Sequence, residues 1–164
     1  MMAATATPTA TRHRPVAVST TVGVLLFLGV TAVGGGIALI LGIGAPPENW
    51  LTGMPVIASW TVPGLVLGAG FGLGSLVAAY GMLRRPYWSR LGFVARLTGH
   101  HWSWIVTLLL GLGQLVWITL ELVYLPEPSP LQFVYATVGL ALVLLPLRGS
   151  VRTYLTVRGT GDRP

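Results

Sequence analysis

Four long apolar runs, separated by short polar or proline-rich segments, organise this chain. They extend over about Val16 to Ile43, Trp60 to Leu83, His101 to Leu125 and Leu131 to Leu147. Each is apolar on all sides rather than along one stripe, the pattern of a helix with no water-facing side. Even the fourth run, the shortest, reaches the lower limit of about 17 residues for a helix that crosses hydrocarbon. The first holds no charged residue. It far exceeds the apolar core of about 7–15 residues in a secretory signal. The pattern predicts an all-α fold: a four-transmembrane-helix antiparallel bundle, spanning residues 16–147, with short outer loops and an amphipathic inner loop.

The punctuation between the runs agrees. Ala45-Pro46-Pro47-Glu48-Asn49-Trp50 ends span one, because proline cannot continue a helix. Pro63 falls in the first turn of span two, where its missing N–H costs nothing. Ser129, Pro130 and Gln132 form a capping-box pattern that predicts the start of span four. Between spans two and three, Trp88, Leu91, Phe93 and Leu97 alternate with Arg90 and Arg96. That mixture predicts a surface-lying amphipathic piece with its arginines toward lipid headgroups. Residues 1–15, rich in Ala and Thr, are expected to be a disordered tail, and residues 148–164 a basic tail.

Charge sets the expected orientation. Only 9% of the 164 residues are charged, too few to cover a water-facing surface. Among the 10 basic residues, all arginine, Arg12 and Arg14 precede span one. Arg84, Arg85, Arg90 and Arg96 lie between spans two and three, and Arg148, Arg152, Arg158 and Arg163 follow span four. The connections after spans one and three carry none. The positive-inside rule therefore predicts both termini and the middle loop in the cytoplasm. The net charge of +6 raises the question of nucleic acid. Because the arginines flank apolar spans, anionic lipid headgroups at the cytoplasmic face are the expected partner, with Arg84, Arg85, Arg90, Arg96, Arg148 and Arg152 the contacts. No nucleic-acid partner is expected.

The candidate chemistry is sparse. With no cysteine, thiolate metal sites and disulfides are excluded. Gly64, Gly68 and Gly72 recur at four-residue steps in span two, and Gly34, Gly35 and Gly36 lie in span one. Small residues at such spacing let helices approach closely in lipid. Spans one and two are expected to pack as a tight pair, with self-association into a homo-oligomer or a larger membrane complex as the alternative use of those faces. In span three, Gln114, Trp117 and Glu121 share one face. An ionisable residue inside a span is a candidate functional site that could relay protons or bind a cationic substrate. Against this, Glu121 lies about one turn from Pro126, within reach of a headgroup region. His100 and His101 are adjacent, pointing about 100° apart on a helix, and fit interfacial anchoring better than haem or metal ligation. No triad and no paired carboxylates point to an enzyme, and neither a metal nor a cofactor is expected.

Three segments carry a resemblance of general pattern: Phe27-Leu28-Gly29-Val30-Thr31-Ala32-Val33-Gly34-Gly35-Gly36-Ile37-Ala38-Leu39, Val62-Pro63-Gly64-Leu65-Val66-Leu67, and Leu125-Pro126-Glu127-Pro128-Ser129-Pro130-Leu131-Gln132. They resemble a set of small four-helix membrane proteins of actinobacteria, over about residues 20–147. The layout is also similar, more distantly, to DoxX-like four-helix proteins. The resemblance implies the fold and a bacterial inner (plasma) membrane, and carries no activity. A structural or accessory role in a membrane complex is the preferred expectation, by a small margin. A small carrier or ligand-binding bundle built on the polar face of span three is the alternative, and a haem or quinone module a weaker one. The two leading expectations divide on whether Glu121 faces lipid or converges with Gln114 and other spans on a pocket.

Overall fold

The computed structural model describes residues 14–53, 57–86, 88, 91–125, 127 and 129–157. Regular structure among them is helical, and four helices are long and apolar enough to cross a membrane. The first, α1, is Val16–Ile40. It ends three residues earlier than the apolar pattern suggests, because the chain turns through Gly42 and Gly44, both at positive φ. A 3-10 turn, Glu48–Gly53, follows. Helix α2 is Thr61–Arg84. The amphipathic piece between spans two and three contains α3, Gly92–Thr98. Helices α4, Trp102–Tyr124, and α5, Pro130–Leu147, are the third and fourth long helices. The capping box at the start of α5 is formed in both directions between Ser129 and Gln132. At 18 residues, α5 is the shortest of the four. Its length of about 27 Å just falls short of a hydrocarbon core of about 30 Å.

Backbone contact between α1 and α2 rests on glycine. A Cβ built on Gly36 would fall 2.6 Å from the Gly64 carbonyl oxygen, and one on Gly72 would fall 2.6 Å from Val33 Cγ2. On Gly29, it would meet Leu76 at 2.6 Å. Contact positions thus fall along α2 as they rise along α1. A second pair, not anticipated from the sequence, closes α4 on α5: a Cβ on Gly111 would lie 2.9 Å from the Gly139 carbonyl oxygen.

The middle of α2, Val66–Leu73, is π-helical. Glycine is the weakest ordinary α-former, and this stretch is rich in it. Four-residue steps drift by about 40° per step around an α-helix, so a glycine ladder would slide off its partner. The wider i→i+5 turn absorbs that drift, and Gly64, Gly68 and Gly72 all remain against α1.

The surface of the long helices is apolar. On α4, Leu109, Val116 and Val123 form a stripe at seven-residue steps and are 60%, 59% and 69% exposed. Such a continuous apolar face suits lipid.

The arginine-rich end is more structured than the sequence pattern indicates. Pro86 disfavours helical geometry at Arg85, which adopts a left-handed conformation and ends α2. The segment expected as a basic tail begins with a short helix, α6, Gly149–Leu155, with Val151 and Leu155 buried. Its end pairs with the segment before α4: the His101 N–H donates to the Leu155 carbonyl at 2.7 Å and the Val157 N–H to the Gly99 carbonyl at 3.1 Å. Apolar residues at i and i+4 drive this docking, a spacing that the flanking arginines mask. Residues 1–13 of the expected 1–15 tail and the residues beyond Val157 lie outside the described residues, as do Pro126 and Pro128.

Candidate functional site

Offsets of three and four on α4 put Gln114, Trp117 and Glu121 on one face, and that face borders a cavity of about 530 Å³. All four long helices contribute to its wall. Helix α1 supplies Thr31, Ala32 and Gly35, α2 supplies Leu67, and the first turns of α5 supply Leu131, Gln132 and Tyr135. Trp50 and Glu127, from the two connections without arginine, complete it. A smaller cavity of about 280 Å³ lies alongside, lined mainly by Leu39, Ile57, Trp60, Pro63, Leu120 and Tyr124. Both cavities share Pro46, Trp117, Glu121 and Leu125. The Trp117–Glu121 pair therefore stands between them.

Each member of the trio is held differently. The indole N–H of Trp117 donates to the Glu121 carboxylate one turn further along α4. The Trp117 ring meets Phe71 of α2 edge-on, with centroids 6.0 Å apart. The Gln132 side chain also lies near Glu121. Its Oε1 accepts from the Ser129 N–H at 3.1 Å, which leaves the amide NH₂ for the carboxylate. One glutamine thus caps α5 and stands beside the acid of α4. Gln114 is only 1% exposed, yet its Oε1 has no hydrogen-bond partner among the described residues. Burying an amide oxygen unpaired costs about 1–3 kcal/mol. Among the described residues two other buried polar side-chain atoms are also unpartnered: Trp60 Nε1, in a residue at the smaller cavity, and Ser75 Oγ, in a residue that borders neither.

Electrostatically the cavity is one-sided. Glu121 and Glu127 line it, and no described arginine lines either cavity.

The other sequence candidates fall elsewhere. Gly36, Gly64, Gly68 and Gly72 lie in the α1–α2 contact, whereas a Cβ on Gly34 would meet nothing within 4 Å and one on Gly35 would meet only Leu67. Arg84, Arg96, Arg148 and Arg152 are exposed at the opposite end of the helices. Arg85 has a partner inside the chain: its guanidinium lies 3.5 Å from the centre of the Tyr154 ring. Burial pushes the Tyr154 hydroxyl up, but the nearby Arg85 and Arg14 guanidinium groups outweigh it and leave the hydroxyl below its ordinary pKa. Arg90 lies outside the described residues. His100 stacks on Trp104 at 4.7 Å and bonds the Thr98 carbonyl through Nδ1. His101 caps α4 through Nδ1, which accepts from Ser103, and contacts the Pro86 carbonyl through Nε2.

Sequence reasoning assigned Gln132 a capping role alone. Its second role was within reach, because the short connection from α4 to α5 brings position 132 back beside position 121. Trp50 and Tyr135 carried no comparable signal. Comparison with known proteins leaves this geometry to speak for itself: no protein family, no curated protein and no solved structure matches the chain.

Proposed function

We propose that this chain is a ligand-binding bundle of a bacterial inner membrane, an antiparallel arrangement of four spanning helices with both termini in the cytoplasm. Its binding site is the larger cavity, which on this topology lies toward the outer face. One observation carries the reading: Gln114 and Glu121 converge with residues of the other three long helices on a cavity of about 530 Å³, a volume suited to a small molecule. Gln114, which lines it and whose buried Oε1 is unpartnered among the described residues, supports it.

The glycine faces that favoured self-assembly are largely consumed within one chain, since Gly36, Gly64, Gly68 and Gly72 pack against each other's helices. That weakens the accessory reading. The orientation rests on the arginines, with anionic headgroups as their counterpart and no nucleic acid. The role assigned is binding rather than catalysis, with no metal or cofactor required.

Filling the cavity tests the proposal. Ala32→Phe should abolish whatever small molecule co-purifies in maltoside, as read by native mass spectrometry, while leaving elution volume and helicity unchanged. An identical co-purification profile for both proteins would overturn it. Topology is testable separately, because the chain has no native cysteine. Asn49→Cys should react with an impermeant maleimide on intact cells, and Arg148→Cys only after permeabilisation. The reverse pattern would invert the assignment.

A further inference from the structure

Resting on that reading, we infer that the cavity takes an organic cation: an ammonium attached to an apolar, hydrogen-bond-donating body.

The inference follows from what the larger cavity leaves unanswered. Its wall offers a carboxylate, Glu121, on the divider between the two cavities, and a second acid, Glu127. No described arginine is there to neutralise either. Every described arginine belongs to the segments that flank the other end of the helices. A carboxylate removed from water keeps its charge only beside a partner of opposite sign. Among the described residues Glu121 accepts a hydrogen bond only from a neutral N–H, that of Trp117. A cation is the complement it lacks.

Gln114 adds an independent constraint. Gln114 lines the same space, and its almost fully buried Oε1, an acceptor only, has no partner among the described residues. Only a donor satisfies it. Gln114 and Glu121 are seven residues apart on α4, about 10 Å along the axis. One molecule reaching both must therefore be elongated, with its ammonium near Glu121 and an N–H or O–H toward Gln114. The space between is bounded by Trp117, Ile118 and Leu67. Indole faces favour cations electrostatically, and the aliphatic walls exclude strongly hydrated polar bodies. An anion of the same shape meets two carboxylates and no described arginine. The cavity should therefore sort molecules by charge more sharply than by shape.

Three indoles of nearly equal shape isolate charge: tryptamine, a cation; tryptophol, neutral; and indole-3-acetate, an anion. Binding is measured calorimetrically to the full chain in neutral maltoside at neutral pH, with empty micelles as blank. Tryptamine is expected to bind at least about tenfold tighter than tryptophol, and indole-3-acetate not to bind. In Glu121→Gln, which keeps an acceptor for Trp117, the tryptamine preference should collapse to about twofold or less, with tryptophol affinity unchanged as the sign of an intact fold. In Gln114→Leu, tryptamine should weaken to the level at which 1-methyltryptamine, which lacks the ring N–H, binds the unaltered chain. Binding of all three indoles alike, or a preference for the anion, overturns the cation assignment and leaves the cavity a binding site. Binding of none overturns the ligand-binding reading itself.

Discussion

Gly36 of α1 and Gly68 of α2 lie in backbone contact: a Cβ on Gly36 would fall 2.6 Å from the Gly68 nitrogen and 2.7 Å from its Cα. Backbone atoms cannot rotate away, so Gly36→Leu should cost at least the upper part of the usual overpacking range of about 1–3 kcal/mol. Gly34→Leu, two residues away, has open space and should leave the thermal midpoint in detergent unchanged. Equal losses from the two substitutions would remove the glycine contact as the basis of the α1–α2 pair.

That contrast shows what the sequence could and could not disclose. Long apolar runs and the Ser129–Gln132 box locate helices to within a few residues, because burial in hydrocarbon and capping are local constraints. Which member of Gly34-Gly35-Gly36 touches α2 depends on rotation about the helix axis, and the π turn in α2 alters that rotation without a periodic signal. The polar trio on α4 was legible from 3.6-residue spacing. The cavity was not, since its far walls come from residues more than 80 positions away in the chain, such as Thr31 and Ala32.

Trp117 and Glu121 should prove energetically coupled. Trp117→Phe removes the N–H that the carboxylate accepts, a charged hydrogen bond worth about 1.5 kcal/mol at the low end of its range, because the Gln132 amide remains beside it. In a Glu121→Leu background the same substitution should cost appreciably less. A double-mutant cycle on chemical unfolding in mixed micelles measures the difference. A coupling indistinguishable from zero would refute the bond.

The cap of α4 should make stability depend on pH. Burial lowers the pKa of His101, the neighbouring Arg85 charge adds to the effect, and the bond to the Pro86 carbonyl partly opposes it. Ser103, Trp102 and Pro86 are its other neighbours. The neutral ring is the form that accepts from Ser103 through Nδ1. With the folded pKa below the ordinary 6.5, the unfolded chain binds the proton more readily. Stability is therefore complete above that value and is lost as pH falls below it toward the folded pKa. His101→Asn supplies a cap that does not titrate, so its melting midpoint should vary less between neutral and mildly acidic pH. Parallel curves for the two proteins would rule out His101 as the source.

Docking of α6 should be visible to a protease. Leu155 is 1% exposed and Val151 fully buried. Leu155→Ala should cost about 2 kcal/mol and speed tryptic cleavage at Arg152 severalfold relative to the unaltered chain. Unchanged cleavage would mean that α6 is held by something other than these two side chains.

The π stretch in α2 has a consequence for how this chain can change length. Thr61–Leu65 and Gly74–Arg84 are two screws joined by a slack coupling. Removing one residue from 66–73 would restore ordinary turns and leave the two screws close to their present phase, because residues in wide i→i+5 turns each sweep a smaller angle. Ser75, Ala78, Ala79 and Met82 could then keep their seats while Gly64 kept its own. The same deletion inside Gly74–Arg84 would turn everything beyond it by about 100°. The wall where Leu67 and Pro63 stand can therefore lose a residue at that stretch and nowhere else without losing its form.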